Sequence, residues 1–128
     1  MHREDAGLVT LETTLMITIL IPLLFAVIEF GDVFQRWLAQ ESATIQVARY
    51  AAEVGGDSPE VGALLADSLR RSGIDPSQSS LEVTPARVGW REPLTVTVRT
   101  GATVAIPFLF STVIPLRTTA IVRGEIAR

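Results

Sequence analysis

LVTLETTLMITILIPLLFAVI, residues 8–28, decides how this chain is read. The run holds one charged residue, Glu12, and the stretch from Thr13 to Ile28 holds none. An α-helix rises about 1.5 Å per residue, so the run spans about 31 Å, close to the thickness of a bilayer's hydrocarbon core. A helix of that length, apolar on every face, is too much for a chain of 128 residues to bury. The run therefore predicts a membrane span. A cleaved secretory signal would need a cationic leader, a shorter apolar run and an Ala-x-Ala-like site behind it. The leader His2-Arg3-Glu4-Asp5 is almost neutral, and Glu29-Phe30-Gly31-Asp32-Val33-Phe34 follows the run. Flanking positive charge decides little, with Arg3 on one side and Arg36 and Arg49 on the other. The shortness of the leader is what assigns it to the cytoplasm, with the remainder translocated.

Two residues inside the span need reasons. Pro22 removes a backbone hydrogen bond and is expected to kink or loosen the helix, which membrane helices tolerate. A carboxylate at the bilayer centre costs about 2.5–3.5 kcal/mol and less near an edge. Glu12 is therefore either an interfacial group reaching headgroup water or a functional one. Glu29, Phe30 and Trp37 are expected at the outer interface, where aromatic rings are favoured.

Composition narrows the function classes. Eleven Arg, no Lys and 14 acidic residues leave a net charge of −3, which argues against a nucleic-acid partner. With 48% hydrophobic residues the chain is too apolar for disorder. It has no Cys, and its single His is His2, so disulfides, thiolate chemistry and histidine-based catalysis or metal binding fall away. No carboxylate pair, nucleophile–base set or Gly-rich phosphate loop is present. The expectation is no enzyme, no catalytic residue, no metal, no cofactor and no small-molecule substrate.

Helical periodicity continues beyond the membrane. Phe30, Phe34, Trp37, Leu38, Ile45, Ala48 and Ala52 form one broad stripe, and Gln35, Arg36, Gln40, Glu41, Gln46 and Glu53 the other side. One helix from about Leu8 to Glu53 is expected, ending at Gly55-Gly56. The stripe either packs on the domain behind it or meets other helices. Ser58-Pro59 reads as an N-cap and first turn, and Val61, Leu64, Leu65 and Leu69 as a short amphipathic helix stopped by Gly73. Residues 75–80 read as a polar loop. Strands are expected at 81–85, at 94–99, at 103–106 after a turn or bulge at Gly101, and at 118–126. Between them lies Ile106-Pro-Phe-Leu-Phe-Ser-Thr-Val-Ile-Pro115, an apolar connection bounded by prolines. Phe108, Leu109 and Phe110 are either tucked into the head or exposed to a partner or the outer leaflet. The fold class is α+β: a long N-terminal helix, membrane-spanning in its first half, packed on a small antiparallel sheet in a pilin-like arrangement. The expected units are residues 1–7 as leader, 8–29 as the membrane half of the helix, 30–54 as its extracytoplasmic half, and 55–128 as a small head.

The leader and span together carry a resemblance. Ala6-Gly7-Leu8-Val9-Thr10-Leu11-Glu12 ends a polar leader in Gly, starts an apolar run at once, and sets Glu at the fifth position after the Gly. This resembles the processing site of type IV prepilins and pseudopilins. With Pro22, Ile28-Glu29-Phe30-Gly31 and Ala48-Arg49-Tyr50-Ala51-Ala52, the chain resembles the TadE-like proteins of tight-adherence (Flp) pilus systems. The resemblance implies that a prepilin peptidase cuts between Gly7 and Leu8. The head would then be extracytoplasmic, on an inner-membrane anchor. Implied partners are membrane lipid, that peptidase, other minor and major pilins and the assembly platform. The role would be priming, capping or regulating a pilus. Cleavage would expose an amine on Leu8, with a pKa near 8. Glu12 lies about 6 Å along the axis on nearly the same face, and would pair with that amine in its own or a neighbouring subunit. Two other readings stay open: a pseudopilin of a type II secretion or competence machine, and an uncleaved single-pass protein with a small binding domain.

Overall fold

The computed structural model describes residues 2–126. Helix α1 runs from His2–Val54 without interruption, passing through both Gly7 and Pro22. It starts six residues earlier than the apolar run, because nothing in Arg3-Glu4-Asp5-Ala6 opposes a helix. Met1 of the expected leader lies outside the described residues. At the other end the chain turns back through Gly55 and Gly56, both at positive φ, and the Gly56 N–H returns to the Ala51 carbonyl at 2.8 Å. This is the hydrogen bonding of a glycine C-cap.

Helix α2 spans Pro59–Arg71, with Pro59 in its first turn. Ser58 caps it through the backbone, accepting from the Val61 N–H at 3.1 Å, while its hydroxyl makes no cap bond. Gly73 at φ 73° ends α2, and the Ile74 N–H bonds to the Leu69 carbonyl at 2.9 Å, which carries Ile74 into the core. The expected loop after it contains a short 3₁₀ turn, Pro76–Gln78, capped by Asp75. The Ser77 N–H donates to Asp75 Oδ1 at 2.9 Å and holds that carboxyl below the usual carboxylate range.

Strands β1 (Ser80–Thr84), β2 (Pro93–Ile106) and β3 (Phe110–Arg123) form one antiparallel sheet in the order β1-β2-β3. Two expectations are corrected here. No turn or bulge breaks β2 at Gly101, which pairs in register with Pro115. A Cβ at 101 would come within 2.9 Å of Val113 Cγ1, so that glycine serves close cross-strand packing. The stretch 106–115 is likewise no connection. Its last six residues belong to β3, which therefore begins eight residues before the expected strand and ends at Arg123. Pro115 is accommodated because β3 is an edge strand, where a missing N–H costs no ladder bond on the open side.

The core lies between α1, α2 and the sheet. Val47, Ala48, Ala51 and Ala52 of α1 meet Val61, Leu65 and Leu69 of α2 and Leu94, Val96 and Val98 of β2. The alanines keep α1 thin on that side, so the sheet approaches closely. β1 pairs only with Thr95–Arg99, so beyond Thr100 the β2–β3 hairpin runs on as a two-stranded ribbon.

The stripe expected on α1 is only partly the buried one. Ala48 and Ala52 are buried, but Phe30, Phe34, Leu38 and Ile45 are exposed. The buried row is Gln40, Ala43, Thr44, Val47 and Ala51, so Gln40, expected on the polar side, is fully enclosed. Small residues decided the packing face, where the expectation had followed large ones.

Candidate functional site: the apolar shaft and the hairpin beside it

Residues 5–21 of α1 are exposed throughout, and from there to Phe30 only Pro22, Ala26 and Glu29 are partly covered. Leu8, Leu11, Leu15, Ile19, Leu23 and Val27 all stand open. Among the described residues one helix is long and apolar enough to cross a membrane, and none of its apolar window is buried in protein. Thr10, Thr14 and Thr18 donate their hydroxyls to the carbonyls of Ala6, Thr10 and Thr14 at 2.8, 2.8 and 2.7 Å. These polar groups are therefore closed within the helix, as an apolar solvent requires. Pro22 is the next residue in that row, and its missing N–H leaves the Thr18 carbonyl without its helical donor.

At the start of this shaft, Gly7 sits inside the helix with open space where a Cβ would be. Packing within this chain gives no reason for glycine there, and glycine inside a helix costs about 0.5–1 kcal/mol relative to alanine. Leu8 and Glu12 follow one helical turn apart, both exposed.

At the upper end, Asp32 and Arg36 form an exposed pair at 2.9 Å, and the Phe34 and Trp37 rings stack with centroids 6.1 Å apart. Glu29 has a partner that the sequence did not reveal: its Oε2 accepts the Ala105 N–H at 3.3 Å. That N–H lies on the edge of β2 that β1 leaves unpaired. No short-range pattern links residues 76 positions apart.

Above Glu29 the ribbon is locked to α1 through Gln40. Its Nε2 donates to the carbonyls of Val98 at 2.9 Å and Leu116 at 3.3 Å, and to Thr118 Oγ1 at 3.1 Å. Its Oε1 accepts the Thr100 hydroxyl. Thr44 Oγ1 lies 2.6 Å from Thr118 Oγ1 and donates to the Gln40 carbonyl at 2.8 Å. One buried amide therefore ties α1 to both β2 and β3. Below Glu29 the ribbon ends in a tight turn. The Leu109 N–H bonds to the Ile106 carbonyl at 3.1 Å, with Pro107 and Phe108 between. Phe108 and Leu109 face Ile17, Thr18, Ile21 and Pro22 of the shaft across an apolar groove. Among the described residues no group of three or more His, Cys, Asp or Glu could hold a metal ion.

Shaft and head together define a class: a small α+β head carried on one long apolar helix that fits a single-pass membrane anchor. The family model described as TadE-like protein matches residues 7–49. The match begins at Gly7 and lies wholly within α1, and it bears out the resemblance to TadE-like, pilus-associated proteins over that helix. No curated protein and no solved structure matches the chain.

Proposed function

We propose that this protein is a minor pilin or pseudopilin of a tight-adherence pilus. A prepilin peptidase removes residues 1–7, and the helix holds the protein in the inner membrane with its head on the extracytoplasmic side. The protein then helps to prime, cap or regulate the filament. The observation that carries this reading is Gly7 with Glu12 at the head of an unburied apolar helix, where the family match also begins. A glycine that packing does not need is what a peptidase reading close to the backbone would select. The exposed row Phe30, Phe34, Leu38 and Ile45 adds support. It extends the apolar surface past the end of the span, as lateral packing against other pilin helices requires. Cleavage makes Leu8 the new terminus, and its ammonium is the natural partner of the otherwise costly Glu12 carboxylate within or between subunits.

The test is the intact mass of the membrane-extracted protein, expressed with and without a cognate prepilin peptidase. Peptidase-dependent loss of Met1 to Gly7 is the expected result. An unchanged mass beside an active peptidase would remove the pilin reading and leave an uncleaved single-pass anchor with a small binding domain.

A further inference from the structure

The tip of the β2–β3 hairpin stands outside the head's core. Phe108 is 98% exposed, Leu109 64% and Phe110 54%. Phe108 also adopts φ 66°, at the position after Pro107 in a turn closed by the Leu109–Ile106 hydrogen bond. Turns with proline second and a left-handed third residue favour glycine or asparagine at that third place. A bulky aromatic side chain there, strained and uncovered, contributes nothing to the stability of the head.

Its level along the helix supplies the reason. The Glu29–Ala105 hydrogen bond ties ribbon and shaft at one height. From that height downward both elements become apolar together. On α1, Ile28 back to Thr13 is free of charge, and on the hairpin everything past Ala105 is Ile106-Pro107-Phe108-Leu109-Phe110. Ala105 to Phe108 is three residues, one in β2 and two in the turn, a reach of at most about 10 Å. Glu29 to Pro22 is seven helical residues, also about 10 Å. The two lengths agree with the observed facing of Phe108 and Leu109 to Ile21 and Pro22. The first charges on the hairpin above this level are Arg99 and Arg117, register partners across the ladder. The tip is also suited to a medium without water: Pro107 has no N–H, and the Leu109 and Ala105 N–H groups are bonded.

We infer that the hairpin tip, Ile106 to Phe110, is immersed in the hydrocarbon of the leaflet on the head's side of the membrane, as a second anchor beside the span. The inference rests on the membrane-span reading of α1 and not on the pilus role. Phe108 and Leu109 project into acyl chains next to Pro22, and Glu29 marks the headgroup level. The tip also faces the stretch of shaft where Pro22 leaves a carbonyl without a donor.

The chain has no Cys, so single cysteines can be labelled without background. Nitroxides at Phe108→Cys, Ile21→Cys and Ser77→Cys would be read in the full chain, reconstituted into phosphatidylethanolamine and phosphatidylglycerol vesicles. Collision rates with oxygen and with a water-soluble nickel chelate report depth. The expected result is a label at 108 that behaves like the one at 21, rich in oxygen collisions and several-fold poorer in nickel collisions than the label at 77. Three results overturn the inference. Nickel access at 108 equal to that at 77, with 21 still shielded, would place the tip in water. Shielding from both reagents at 108, with spin–spin broadening that grows with protein-to-lipid ratio, would assign the tip to a second copy. Nickel access at 21 would remove the span itself.

Discussion

Gln40 satisfies both ends of its amide inside the protein, and it does so on two strands at once. Replacing it by leucine keeps most of the volume but strands the Thr100 hydroxyl and takes one partner each from the Thr118 hydroxyl and the Val98 and Leu116 carbonyls, in a dry site. Gln40→Leu should therefore cost about 3 kcal/mol of head stability, read by denaturation of the detergent-solubilised full chain. Gln46→Leu, on the exposed side of the same helix, should change little. Gly56 is sensitive for a different reason. It bridges to Arg87 at φ 128°, and a Cβ there would meet the Ala86 carbonyl oxygen at 2.2 Å. Backbone cannot rotate away as a side chain can, so Gly56→Ala should cost about 3 kcal/mol in the same measurement. Sequence reading finds Gly56 as a helix stop and misses its second duty against residue 86. It misassigns Gln40 because an amide is taken for a solvent-facing residue by default. The steps of three and four that join Gln40 to Ala43, Thr44, Val47 and Ala51 were present, but a stripe of small and polar residues carries a weak hydrophobic signal.

At the scale of elements, α1 and α2 are legible because caps, prolines and glycines punctuate them. Pro59, Gly73 and Gly55-Gly56 all act where their chemistry predicts. The hairpin is not, because Gly101, Pro107 and Pro115 look like breakers in a string of letters. Only Pro107 lies in a turn. Gly101 and Pro115 face one another across the ladder, and their suitability depends on which strand is the edge, a fact of the assembled sheet. The exposed row on α1 carries its own expectation. Leu38 is 45% exposed and makes no part of the core. Leu38→Glu should shift head stability by less than about 1 kcal/mol, as surface substitutions do. If the row packs against neighbouring helices, the same change should sharply reduce pilus assembly, scored by shed filament protein. Assembly at the wild-type level would remove that role from the row.

At the scale of the whole molecule, the apolar excess of the sequence resolves into two places, the lower half of α1 and the tip of the ribbon. The first announces itself by length. The second is five residues long and becomes informative only when the fold sets it at the height of Pro22. An apolar helix that fits a membrane anchor and the α+β class were thus readable from the chain alone, while the alignment of hairpin to shaft was not. That alignment depends on the unbroken course of α1 from the span into the head, with no linker between Ile28 and Gln40. An uninterrupted helix conveys rotation as well as height, at about 100° per residue. Span and head are therefore in phase, like two cams on one axle. A single residue inserted near Gly31 would leave every hydrogen bond of the sheet intact, yet swing the ribbon more than a quarter-turn around the shaft, off Glu29 and away from Pro22.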